Sequence, residues 1–84
     1  MHEMGIAASI LDAVQKEMDR YPGYRAAKIG VRIGEYAGVD TMSLRFCFDA
    51  IVKDSPLAPL ELGIEWLDGE ELDLGSLELE EIAA

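Results

Sequence analysis

Three changes of apolar period within 84 residues limit the fold of this chain more than any other feature. Ile6, Ala7, Ile10, Leu11, Val14 and Met18 recur at three- and four-residue spacing, which predicts an amphipathic helix from residue 4 to about 20. Tyr21-Pro22-Gly23 ends it, because Pro cannot continue a helix and Gly supplies a turn. From Ala27 to about Gly34 the period drops to two. Ile29, Val31 and Ile33 point one way and Lys28, Gly30, Arg32 and Gly34 the other, the pattern of a half-buried strand. Asp40 or Thr41 then starts a second helix as its N-cap. Leu44, Cys47, Phe48 and Ile51 form its main stripe, and Met42 and Phe46 are expected to broaden it.

Asp54-Ser55-Pro56-Leu57-Ala58-Pro59 breaks this helix, since both prolines lack an N–H and bias their neighbours toward extended backbone. Leu60, Leu62, Ile64 and Trp66 then alternate with Glu61, Gly63 and Glu65 as a second strand. Asp68-Gly69 is a two-residue hairpin signal, leading into a third strand that carries Leu72 and Leu74, then Leu77 and Leu79. The slip of phase at Gly75-Ser76 predicts a bulge. The expected fold is α/β (α+β) with the order helix-strand-helix-strand-strand. Two helices pack on one face of a three-stranded mixed sheet, the first two strands parallel and the last two an antiparallel hairpin. Lys28 and Arg32 are expected on the other face, near Glu61 and Glu65.

The chain is one domain by length, with a single modest core. Its net charge of −10 is unevenly placed. Up to residue 53, basic and acidic residues balance; from Asp54 onward there are acids and no Lys or Arg. Phosphate contacts need clustered Lys and Arg, so nucleic acid is not an expected partner. An acidic surface mildly concentrates divalent cations, although most such carboxylates do no more than solvate a face. No apolar run approaches membrane-spanning length. Met1-His2-Glu3 lacks the basic and apolar regions of a signal peptide. The lone Cys47 forms no intrachain disulfide, and the chain is expected to be cytoplasmic.

One candidate for chemistry stands out. The single histidine is His2. Initiator methionine is removed chiefly before small residues, so Met1 is expected to stay. Its α-amine, the following amides and the His2 imidazole can then close a chelate around Ni²⁺ or Cu²⁺, which suit square-planar N/O coordination. A solvated histidine near a terminus is the plainer use of such a residue. No Ser–His or Cys–His pairing, glycine-rich phosphate loop or carboxylate dyad is present in the sequence, which argues against an enzyme.

Met1-His2-Glu3-Met4 ahead of an apolar helix, Val31-Arg32-Ile33-Gly34-Glu35, and Phe48 through Leu62 resemble the HypA/HybF family. The closing Gly69-Glu70-Glu71-Leu72 and Ser76-Leu77-Glu78-Leu79-Glu80 do so as well. The resemblance implies a metallochaperone that delivers Ni(II) to [NiFe]-hydrogenase, and in some organisms to urease. It implies a maturation GTPase and the hydrogenase large subunit as partners. It carries over Met1, His2, Glu3 (chiefly through its backbone) and Asp40 as the metal site. Asp40 can serve as both N-cap and ligand if one oxygen caps and the other faces the metal. The family's second lobe, a zinc site of two Cys-x-x-Cys pairs between the last two strands, has no counterpart here. A tight turn near 67–70 stands in its place. One cysteine cannot build a tetrahedral structural zinc site, so no zinc is expected. The alternative is a metal-independent interaction domain that docks through its acidic hairpin or a sheet edge.

Overall fold

A computed structural model describes residues 2–82. Its elements are α1 (Glu3–Met18), β1 (Tyr24–Gly34), α2 (Thr41–Lys53), β2 (Glu61–Leu67) and β3 (Leu72–Glu81). The expected order of elements and the mixed three-stranded sheet are both present. Helix α1 stops at Met18, somewhat earlier than its periodicity suggests, and β1 begins at Tyr24 rather than Ala27. The core joins Ala7, Ile10 and Val14 of α1 to Leu44, Phe48 and Val52 of α2. Beneath them lie Ala26, Ile29, Val31 and Ile33 of β1, with Leu60 and Leu62. Both helices therefore cover the same face of the sheet. Cys47 is half-buried against this cluster as a free thiol.

The strand order is β2-β1-β3. Strand β1 pairs parallel with β2, Ile29 opposite Leu62 and Ile33 opposite Trp66. It pairs antiparallel with β3, Ile29 opposite Leu77 and Ile33 opposite Leu72. The expected β2–β3 hairpin is thus incorrect. Asp68-Gly69 belongs to a short connection that passes over the end of β1. There the amides of Gly34, Glu35 and Tyr36 donate to the carbonyls of Glu71, Leu67 and Gly69 at 2.6, 2.7 and 2.8 Å. The physical reason lies in β1 itself. It is the most deeply buried strand, and a β2–β3 hairpin would leave it on an edge with one row of backbone groups unpaired. Inserted between the other two strands, it pairs on both sides and keeps Ile29, Val31 and Ile33 under the helices.

Two bulges adjust the ladder between β1 and β3. The one expected at Gly75-Ser76 is present, the partner jumping from Ser76 to Leu74 as β1 advances from Gly30 to Val31. A second, at Ala27, lets Ala26 and Ile29 face the same core although they are three residues apart. On the open face Lys28 and Arg32 do lie opposite Glu61 and Glu65. Arg32 nevertheless makes its ion pair across the other side, Nε to Asp73 Oδ1 at 2.9 Å, and Arg25 pairs with Glu80. Such exposed pairs contribute little each.

Met42 and Phe46 do not broaden the buried stripe of α2; they are 84% and 76% exposed. At about 100° per residue both lie well away from Leu44 and Phe48, so burying that pair turns them to solvent.

Gly34 is required by the crossover, since a Cβ there would lie 2.4 Å from the Gly69 carbonyl oxygen and 2.7 Å from the Glu71 nitrogen. Both are backbone atoms. Gly34→Ala should therefore destabilise the fold by about 1–3 kcal/mol, as overpacking does. Gly5 lies in α1, and a Cβ added there would meet nothing within 4 Å. Gly5→Ala should stabilise by up to about 1 kcal/mol. Urea unfolding of the two variants beside wild type checks the opposite signs.

Candidate metal centre

The site begins where α1 begins. His2 is its N-cap, with extended backbone at φ −88° and ψ 91°, and its carbonyl accepts the first helical hydrogen bond from the Ile6 amide at 3.1 Å. The amides immediately after an N-cap have no acceptor within their own helix, so they are available to another partner. The His2 side chain makes no capping hydrogen bond. It is exposed, at the lip of a cavity of about 460 Å³ between α1 and β3 that is lined by Ile6, Ile10, Val31, Leu72 and Leu74. Met1, the first of the expected ligands, lies outside the described residues.

Glu3 and Asp40 are brought together directly. The Asp40 amide donates to Glu3 Oε2 at 3.1 Å. Asp40 is the N-cap of α2, as expected. Its Oδ1 accepts from the amides of Met42 at 3.1 Å and Ser43 at 3.2 Å. The Ser43 amide, with the Ser43 hydroxyl next, holds the Asp40 carboxyl below its ordinary value. Desolvation opposes this and the Met42 amide reinforces it. No hydrogen bond or ion pair among the described residues joins the His2 imidazole to Asp40. Chain connectivity through Glu3 links the two.

Sequence reasoning, which gives Glu3 a backbone role at the metal, misses the bond of its carboxylate to the second helix. A signal for it exists. In a capping box, a Glu or Gln three residues after the N-cap reaches back to the N-cap amide. In α2 that position is Ser43, which is too short for the reach, so the Asp40 amide needs an acceptor from elsewhere.

Among the described residues, no three His, Cys, Asp or Glu side chains converge on one point. A metal held at this end must draw on main-chain nitrogen. The donor set is consistent with that requirement: an uncommitted imidazole, partnerless helix-start amides, and a deprotonated carboxylate one hydrogen bond away. The positive end of the α1 dipole also favours the negative charge that metallated amides acquire.

The family model described as hydrogenase/urease nickel incorporation, metallochaperone, hypA matches residues 1–78. A hydrogenase maturation factor HypA of Desulfatibacillum aliphaticivorans is 41% identical over 66 residues, 77% of this chain and 51% of that protein. The same factor of Pelodictyon phaeoclathratiforme is 42% identical over 69 residues, 82% of this chain and 59% of that protein. The chain thus spans little more than half the length of these curated relatives. The solution structure of the Ni metallochaperone HypA from Helicobacter pylori superposes with a TM-score of 0.68 at 14% identity, covering all of both chains, and bears on the fold alone. The family match favours the nickel reading over a metal-independent interaction domain, whose acidic hairpin the observed strand order removes while leaving β2 and β3 as sheet edges.

The cap has a measurable pH signature. Because the folded Asp40 carboxyl is held low, its charge stabilises the fold at neutral pH, and that stabilisation is lost as the pH falls through the lowered folded value. The Tm difference between wild type and Asp40→Asn should therefore be present at pH 7 and shrink toward zero in strong acid. Asp40→Ala, which removes the acceptor as well, should melt lower than Asp40→Asn at pH 7.

Proposed function

The chain belongs to the HypA family, and we propose that it binds Ni(II) at its leading residues and delivers it for maturation of [NiFe]-hydrogenase, or of urease. The observation that carries this reading is an N-cap histidine whose imidazole is exposed and uncommitted, one residue from a carboxylate bonded to the start of the second helix. In the proposed complex the Met1 amine, the His2 imidazole and the amides of His2 and Glu3 form a nitrogen plane around the ion. Asp40, whose amide bonds to Glu3 Oε2, is the fourth residue of the proposed site and stands outside that plane of ligands.

The chemistry suits transfer. Binding releases the amide protons, so affinity rises with pH and falls when protons return. An exposed chelate at a helix end leaves the plane open to a recipient's ligands, so the ion can pass by exchange without the core opening. The protein acts as a binding and delivery factor, not a catalyst. A maturation GTPase that drives transfer and the hydrogenase large subunit are the proposed partners. Neither nucleic acid nor a membrane is a proposed partner. No described helix is long and apolar enough to cross a membrane, and cytoplasmic action is part of the proposal. The proposed cargo is nickel, with no zinc in this chain.

Titration of untagged protein with Ni(II) should raise a visible absorption band of planar nitrogen coordination, saturating at about one equivalent. His2→Ala, or acetylation of the Met1 amine, should abolish it. Persistence of the band in either form would refute the site.

A further inference from the structure

The bond between Glu3 and Asp40 assigns the Glu3 carboxylate a task that its place beside the metal does not suggest. In a capping box the N-cap amide is satisfied from within its own helix, by a long acidic or amide side chain at the third helical position. Helix α2 has Ser43 there, and the Ser43 amide is itself a donor to Asp40 Oδ1 at 3.2 Å. The acceptor comes instead from α1: Glu3 Oε2 takes the Asp40 amide at 3.1 Å. The two halves of a capping box are thus divided between two helices. Asp40 caps α2 with its side chain, and Glu3 returns the reciprocal bond from the first turn of α1.

Resting on the nickel reading above, we infer that the Glu3 carboxylate is a positioning group and not a nickel ligand. Its hydrogen bond fastens the start of α1 to the start of α2, which fixes the direction in which the His2 backbone leaves the helix. It also keeps Asp40 within reach of an ion held there. Glu3 meets the metal through its backbone nitrogen, while its side chain bonds to the start of α2. Both tasks are compatible, because the amide of the first helical residue has no partner in its own helix. The Ile6–His2 bond holds the other side of the same turn. The leading segment is therefore fastened at two points, one within α1 and one across to α2, before any metal arrives. Pre-fastening of this kind reduces the ordering that the ion must impose.

Conservative substitution separates a ligand from a clasp. The Gln side chain retains a carbonyl oxygen that can accept the Asp40 amide proton, but lacks the charge that makes a carboxylate a nickel ligand. Ni(II) affinity by calorimetry, the visible band and hydrogen exchange of the Asp40 amide by NMR are to be measured on wild type, Glu3→Gln, Glu3→Ala and His2→Ala. Glu3→Gln should keep the wild-type band, leave the Asp40 amide protected and hold most of the affinity. Glu3→Ala should lose that protection and about 10- to 100-fold in affinity, the usual loss when a group that orients a ligand is removed, while far-UV circular dichroism shows both helices intact. Two results overturn the inference alone: Glu3→Gln losing nickel as completely as Glu3→Ala, with its Asp40 amide still protected, or Glu3→Ala binding as wild type does. A wild-type protein with no His2-dependent band overturns the underlying nickel reading, and with it the positioning role.

Discussion

Burial of Ile29, Val31 and Ile33 governs the rest of this structure. A strand this apolar in so small a chain needs helices over it and a neighbour on each side, and both demands are met by the same arrangement. The parallel neighbour β2 requires a crossover, which α2 supplies. The antiparallel neighbour β3 is reached by a short connection over the end of β1, and that connection is close enough to exclude even a methyl group at Gly34. Helices α1 and α2 then have one face on which to lie, and their starts come to the same place. The meeting of Glu3 with Asp40 is a consequence of that packing, and the candidate metal centre is built on it.

The division of stability and function along the chain follows. The core uses the middles of both helices and of β1, whereas the proposed chemistry uses residues at helix starts, where the first amides have no partner within their own helix. Loading and unloading an ion there need not disturb Phe48 or Leu44, both wholly buried. Exposed apolar surface at Met42 and Phe46 of α2, with Trp66 of β2 also exposed, lies outside the core.

Most elements are legible in the sequence because their periodicities are clean. The stripe Ile10–Val14 and the alternation Ile29–Val31–Ile33 each have one good interpretation, and the leucine slip at Gly75 foretells a bulge. Strand order is not legible. Asp68-Gly69 is a local hairpin signal, and a local signal cannot report that β1 has the greater need of a partner. Met42 and Phe46 mislead for a related reason, since hydrophobicity alone suggests burial and their angular position on α2 is set by which stripe the sheet covers. At the site, His2 and the Asp40 cap can be read from residue type and position. The Glu3 bond cannot, because it joins residues 37 positions apart. Its trace is only the missing Glu or Gln at Ser43.

The claim most in need of a direct test is that nickel sits at the leading nitrogens and nowhere else. The chain has one histidine, so its imidazole signals in a heteronuclear NMR spectrum report on that end alone. Stepwise Ni(II) should move the His2 signals to new positions that saturate at about one equivalent, with the core resonances of Val31 and Phe48 still and sharp, as a diamagnetic planar ion requires. An unmoved imidazole at that point, with changes centred instead on the acidic residues of β3, would contradict it.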